Sequence, residues 1–544
     1  MIRKALFGAS LAIPLALLAA LLALVFRAVA SAPATPRPGG TYTEGLIGPV
    51  TVLNPLFAGQ DQNAHDIDAL LFEPLVRVRP NGAITGVLAS KWQVSQDQRS
   101  YVFTVRPNAR WSDGSPVTAD DVVFTVRTVQ DAHYPGALLN ASWKDIIATV
   151  IDAGHVRFTL PGRNAGFMST LELLPIVPEH LLSGRSIADL ASVSSGIEPV
   201  GSGPFEVSQQ LADRVVLERN PFSWRRPWIE HVVERSFPNE RAALDALQRG
   251  EINALGNLSA TAVDRLQGEK NIAVYQTQTY QYTELLFNLK PDVPYFQDRR
   301  VRQAIAMAID RDAIIRQVVA GEAKPADGPI PRAISWAYDS RVARPRYDPK
   351  AAAGLLDQAG WTLQRDGSRA LKDGTVLGFE LLVSNDLPPY EEVAGRVATA
   401  LAQLGVQVTV RPMPTASLIH DALNPRSFQM ALTAVDNGPD PDVFPFWHSS
   451  QAHPGGFNFV SMKRNVFIDK DLEDGRATLD LKSRAKAYFD LQELFAQEMP
   501  AVYLYSPTYT FAVARGVHGV KLDSAIEPDG RYASVNEWFI EVGR

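Results

Sequence analysis

The sequence predicts a mixed α/β protein built in two or three lobes, and three observations carry that expectation. At 544 residues the chain exceeds what one hydrophobic core usually organises. From about residue 40 onward short β-rich runs alternate with amphipathic helices, with no fixed-period repeat and no low-complexity tract. Between Val376 and Ser449 the order is strand, helix, strand, then an apolar strand entering a loop dense in Asp, Gly, Pro and aromatics. That is the order of an α/β lobe, in which ligands sit beyond the carboxyl ends of strands.

The elements can be justified in turn. Arg3 and Lys4 precede an uncharged apolar run, Ala5–Phe26, and small residues Ala28 and Ala30 follow Arg27. A positive start, an apolar middle and A-x-A spacing describe a secretory signal. The run is also long enough for a membrane anchor, so residues 1–30 are expected to export the chain, cleaved or uncleaved. "SAPATPR" (31–37) opens a Pro/Gly-rich tether. Removing residues 1–30 leaves 50 basic residues against 59 acidic ones. No basic block tracks phosphates, which argues against nucleic acid as a partner. The absence of cysteine excludes disulfides, thiol catalysis, thiolate metal sites and a lipidated cysteine.

"RWSDGSPVTADDVVFTV" (Arg110–Val126) looks at first like a carboxylate pair in an active site. Before it, Tyr101, Phe103 and Val105 alternate on one face of a half-buried strand. Gly114 and Pro116 supply turn chemistry, and Thr118 with Asp121 has capping-box spacing. Asp120 and Asp121 would occupy the first helical turn, where negative charge is favoured. Strand, turn and capped helix account for every residue without catalysis. Further on, Val301, Ile305 and Ile309 form an apolar stripe. Asp310 or Asp312 can then cap a second helix, ended by Ala320 and Gly321.

Catalytic signatures are absent: there is no G-x-S-x-G elbow, no P-loop and no H-E-x-x-H. The glycines of "VGSGPF" (Val200–Phe205) lack a third glycine and read as a tight turn. His448 and His453 are wrongly spaced for one helical face, and a surface pair is the better reading than a metal site. "DNGPDPD" (Asp436–Asp442) resembles a calcium loop only superficially, since positions six and twelve hold Pro441 and Trp447. It is a cluster of turn formers. Asp386 and Asp436 both directly follow apolar strands, so both are candidates to face a crevice.

Several segments together resemble a family. "LNPLF", "LFEPLV", the stretch from Leu88 to Val126, "GSGPF", "FNLKPDVPYFQDRRVRQAIAMAIDRDAI", "AVDNGPDPDVF", "GFNF" and "PAVYLY" run in the order of bacterial extracytoplasmic solute-binding proteins, family 5. These serve ABC importers and bind oligopeptides, dipeptides or nickel complexes. The resemblance implies a large periplasmic-binding-protein-like fold of type II, with two α/β lobes, a hinge and an extra α+β domain. Mapped here, lobe I combines 38–71, 200–285 and 506–544; the extra domain is 72–199 and lobe II is 286–505. It also implies capture without conversion, no cofactor and no catalytic residue. In peptide binders of this family an aspartate of the "DNG-DPD" segment pairs with the ligand's α-ammonium, and Asp436 occupies that place. Dipeptide binders carry an arginine where this chain has Pro388, which disfavours short peptides held at both ends.

The expected ligand-binding residues are Asp436, Asn437, Trp447, Tyr280, Tyr282 and Asn458. The expected partners are a small, peptide-like ligand and an ABC permease with its ATPase, and the chain is expected to act as an extracytoplasmic monomer. Three rivals stand beside this: the same fold holding an oligosaccharide or metal complex, with "FPFWH" (Phe444–His448) stacking a ring; a secreted hydrolase using Asp113 and Asp120; and a sensor or chaperone-like binder without a permease.

Overall fold

The computed structural model describes residues 35–540, apart from 51–53, 60, 193–198, 463 and 525. The expected leader over 1–30 and residues 31–34 of the tether lie outside the described residues. Among the described residues no helix is long and apolar enough to cross a membrane.

One large mixed sheet runs through the molecule. Across it lie Gln407–Met413, Gly378–Ser384, Met430–Asp436, Gln281–Phe287, Ala501–Ala514, Ala254–Leu255, Thr41–Ile47, His231–Phe237, Arg214–Arg219 and Phe205–Gln210. Gly378–Ser384 pairs in parallel with both neighbours. A parallel pair needs a crossover, and the helix Pro388–Ala402 supplies it. Ala501–Ala514 is the longest strand and is buried along nearly all its length, as suits a Tyr-, Val- and Phe-rich run with cover on both faces. It changes partners midway: residues 501–505 pair with Gln281–Phe287, and residues 508–514 with Ile272–Gln278. Pro507, which cannot donate to a ladder, sits where the exchange occurs.

The apolar interior divides about that strand. One core is drawn wholly from residues 280–505, another from residues 42–254 and 509–538, and a small third from residues 237–272 with Ala512. A separate antiparallel sheet, in order Ala89–Val94, Ser100–Val105, His155–Thr159 and Ile147–Asp152, belongs to the second of these cores. Tyr101, Phe103 and Val105 are its buried row, matching the alternation in the sequence.

The Arg110–Val126 stretch is a structural corner. Thr118 is the N-cap of the helix Ala119–Gln130. The Asp121 carboxylate accepts from Thr118 N (2.7 Å), Glu179 N (2.8 Å) and Trp111 Nε1 (3.3 Å). Asp310 rather than Asp312 caps the helix Arg311–Gln317, accepting from Ala313 N at 2.8 Å. The glycines of "VGSGPF" do not serve a left-handed turn. Gly201 and Gly203 press on the end of the helix Gln62–Leu71, where a Cβ on Gly201 would stand 1.9 Å from the Leu71 carbonyl oxygen. Close approach, not conformation, requires them.

Candidate ligand-binding crevice

The loop Asp436–Asp442 leaves the strand Met430–Asp436, whose last residue stands opposite Gln281. Its three aspartates have different fates. Asp440 receives a two-pronged hydrogen bond from buried Arg484, at 3.0 and 2.6 Å. Asp442 receives Arg476 Nε at 2.8 and 2.7 Å, and that guanidinium lies 4.0 Å above the Phe444 ring. Bidentate charge-assisted pairs of this kind fix geometry. Asp436 takes only the Gly438 N–H, at 2.8 Å, across a turn in which Gly438 adopts φ +61°. No cation among the described residues pairs with it.

Asp436 is open to solvent, yet the protein around it pushes its carboxyl above the usual range by desolvation. A group that water reaches while protein crowds it on several sides lies in a crevice. Across from it is Glu527, in a C-terminal segment tied down by Ile526 N to Gln278 O (3.0 Å) and Thr277 Oγ1 to Asp523 O (2.8 Å). The two carboxyls are in contact, and burial first, then Asp436, drives Glu527 well upward. Two acids in contact share a proton, because both cannot ionise cheaply.

Tyr280 lies at the junction. Burial raises its hydroxyl pKa most, followed by Glu172, Glu527, Asp523 and Asp436. Glu172 comes from the end of the helix Phe167–Glu172, accepts from Val78 N at 3.0 Å and is pushed by burial to about 7. On its far side the Asp436 loop approaches the same region: a Cβ on Gly438 would lie 4.0 Å from Leu173 Cδ1. Residues from before 200, from 280–505 and from beyond 506 therefore meet at one place.

Tyr282 is fully buried, edge-on to Tyr503 at 5.5 Å, with its hydroxyl beside Asn437 and Trp447. Asn437 Nδ2 donates to Pro329 O at 3.0 Å. Trp447 is packed edge-on against Phe495 at 4.9 Å. The Tyr282 hydroxyl, Asn437 Oδ1 and Trp447 Nε1 are all buried, and none reaches a hydrogen-bond partner. Buried polar atoms are normally satisfied, and these three lie beside one another, the hydroxyl within reach of the other two. Asn458 is different: its Nδ2 donates to the Trp447 and His448 carbonyls at 3.2 Å each, and its Oδ1 accepts from Ser461 N at 3.2 Å. It is a staple behind Trp447, with its polar atoms spent on backbone.

Other candidates fall away from this place. Asp386 Oδ2 accepts from Thr415 N at 2.6 Å and ties a surface loop. His448 engages Ser450 Oγ at 2.7 Å and stacks on Phe444, while His453 contacts the Pro454 carbonyl; they do not form a pair. Phe444 and Trp447 pack against the 280–505 core rather than presenting a platform for a sugar ring. Asp113 meets His180 Nε2 at 2.7 Å and Ser115 Oγ at 2.6 Å, and Ser115 Oγ lies 3.3 Å from that same Nε2. A nucleophile relay needs acid and hydroxyl on opposite ring nitrogens, so this surface trio lacks the geometry for hydrolysis. Asp120 is exposed in the first helical turn. A hollow of about 490 Å³ bounded by Arg311, Arg344 and Tyr347 shares no residue with the crevice.

The sequence reading missed Glu527, Glu172 and Asp523. They are far from Asp436 along the chain, and nothing in their local patterns separates them from surface acids.

The comparisons agree with this architecture. A family model described as bacterial extracellular solute-binding proteins, family 5 Middle, matches residues 83–456, and the chain belongs to that family. It is 28% identical over 516 residues to the oligopeptide-binding protein AppA of Bacillus subtilis (strain 168), covering 93% of this chain and 92% of the relative. The structure of B. subtilis AppA in complex with a nonapeptide superposes with a TM-score of 0.76 at 27% identity, over 93% of this chain and 100% of the other. DppA from Helicobacter pylori, solved with the peptide STSA, shares the fold with a TM-score of 0.74 at 23% identity, over 93% and 99%.

Proposed function

We propose that this chain is the extracytoplasmic binding component of an ABC importer, capturing oligopeptide-like ligands and handing them unchanged to a membrane permease. The observation that carries the reading is Asp436: of three aspartates on one loop, it alone has no cation, and it faces a crevice. A free α-ammonium supplies the missing partner, and a charge-assisted hydrogen bond in such a place is stronger than a surface ion pair. Kinship with an oligopeptide-binding protein over nearly the whole chain supports the same ligand class. The orphaned atoms of Tyr282, Asn437 and Trp447 offer further polar contacts beside it.

The division into lobe I (38–71, 200–285, 506–544), an extra domain (72–199) and lobe II (286–505) is part of this proposal. It is supported by the core confined to residues 280–505 and by the partner exchange within Ala501–Ala514. Ligand contacts from both sides of the crevice would favour the closed form, the arrangement a permease reads. Export by residues 1–30, with or without retention at the membrane, and action as a monomer belong to the same reading.

The test is direct. The purified chain is titrated calorimetrically with free-amine oligopeptides and with the same peptides N-acetylated, and the mixtures are then analysed by mass spectrometry. Saturable binding of the free-amine set, weakened at least about tenfold by acetylation, with peptides recovered intact, is the expected result. Indifference to acetylation refutes the role of Asp436, and cleaved peptide refutes capture without conversion.

A further inference from the structure

An α-ammonium neutralises one negative charge, and the crevice presents more than one. Glu527, from the segment after Ala501–Ala514, is in contact with Asp436, and its Oε1 is buried without a hydrogen-bond partner. Around these two stand Glu172, Asp523 and Asp529, which act on Tyr280, on Glu527 or on each other. The cations that answer them are few. Arg79 holds Asp523 at 3.1 Å. Arg77 acts on Glu172 and Asp529. Arg531 is already matched by Glu44 at 2.8 Å and by Asp66 at 2.8 Å. Among the described residues, Asp436 and Glu527 have no arginine or lysine of their own. Burial first, and the neighbouring acids after it, hold Glu172 and Glu527 above the usual carboxylate range.

Resting on the proposed capture of peptides, we infer that the preferred ligand carries two cationic groups: a free α-ammonium on Asp436 and a basic side chain at its first or second residue on Glu527. A dication replaces the shared proton with two fixed charges and bridges the two sides of the crevice, so its binding also favours closure. A guest with an apolar side chain at that place leaves Glu527 buried against Asp436 without a counter-charge, which costs affinity.

The experiment uses the full chain and four tetrapeptides. Lys-Ala-Ala-Ala is compared with norleucine-Ala-Ala-Ala, and Ala-Lys-Ala-Ala with Ala-norleucine-Ala-Ala; each pair differs by one ammonium. The expected result is a preference of about tenfold or more for lysine in at least one pair, falling toward one in Glu527→Gln. Asp436→Asn weakens lysine and norleucine peptides alike, because it removes the shared α-ammonium contact. Equal affinities in both wild-type pairs overturn the inference while leaving peptide capture standing, as does a lysine preference undiminished in Glu527→Gln. If no tetrapeptide binds, both the inference and the reading beneath it fall. The wild-type comparison decides the matter even if the Glu527 variant does not fold.

Discussion

Asp440 and Asp436 lie four residues apart on one loop, yet Asp440 is sealed beneath Arg484 at 2.6 Å while Asp436 meets only a turn N–H and the carboxyl of Glu527. The first aspartate builds the loop; the second is what the loop presents. Replacing Asp436 by Asn keeps the shape and the Gly438 contact but removes the charge. Affinity for a free-amine oligopeptide should drop by about 2–3 kcal/mol, or roughly thirty- to a hundred-and-fiftyfold. Calorimetry of the variant against the wild type measures it, and an N-acetylated peptide should show no such difference.

Arg484 tests the other half of that contrast. It is buried, pairs with Asp440, and donates from Nε to the Gly475 carbonyl at 2.9 Å. Arg484→Leu leaves Asp440 buried without its counter-ion and should cost about 3–5 kcal/mol of stability. Denaturant unfolding reads this. Asp440→Asn combined with Arg484→Leu should recover part of the loss.

Tyr282→Phe separates stability from binding. The hydroxyl it deletes is buried and has no partner, so the ligand-free protein should be unchanged or slightly more stable. Peptide affinity should weaken by about 1 kcal/mol if the hydroxyl reaches the guest. A fall in thermal midpoint without any change in affinity would contradict both halves of this expectation.

The pH dependence follows from carboxyls held above their unfolded values. Glu284, fully buried on the strand Gln281–Phe287, is pushed by desolvation from 4.5 to about 8, and Glu172 to about 7. Their protonated forms fit the fold, so their contribution is fully present below pH 4.5 and lost as pH rises through 7 to 8. For Glu284 the upper bound on that loss is on the order of 4–5 kcal/mol. The ligand-free protein should melt higher at pH 5.5 than at pH 8.5. Glu284→Gln should raise the midpoint at pH 8.5 and flatten the profile between the two.

Gly201→Ala probes a contact that no local pattern reveals. The added methyl would meet the Leu71 carbonyl oxygen at 1.9 Å, so helix or loop must retreat, at a cost of about 1–3 kcal/mol. Chemical denaturation should show a lower midpoint with an unchanged slope.

Much of the fold was legible because its elements carry local signals. The alternation Tyr101–Phe103–Val105, the capping pair Thr118 and Asp121, and the strand–helix–strand order around Pro388–Ala402 each rest on residues near one another in the chain. Of the candidate site, the grouping of residues near Asp436 was legible in part on the same grounds, its role in binding being the proposal made above. Asp436 announces itself by following a strand into a turn-rich loop, and Asn437, Tyr282, Trp447 and Tyr280 gather about it. Asn458 turned inward because its amide is better matched by two loop carbonyls than by an open cavity. Glu527 and Glu172 could not be foreseen. Their proximity to Asp436 is made by Ala501–Ala514 and by the docking of the segment after it, and no spacing in the sequence encodes that. "VGSGPF" looks like a turn for a similar reason: the object its glycines approach lies well over a hundred residues away.

The unbroken backbone of Ala501–Ala514 has a geometric consequence for how such a molecule opens. In the two-lobe division proposed above, a strand fastened to both sides would favour swinging about the Ser506–Pro507 region, where its partners change, over sliding. Travel then scales with radius from that pivot. Asp436 stands across the ladder from Gln281, on the strand next to one that pairs with Ala501–Ala514, and on that proposal would shift little. A contact between the proposed extra domain and lobe II, such as that of Gly82 with Leu481 and Trp336, would be the kind that such a swing parts. On the proposed reading, the Asp436 charge would be held nearly stationary while the mouth does the moving.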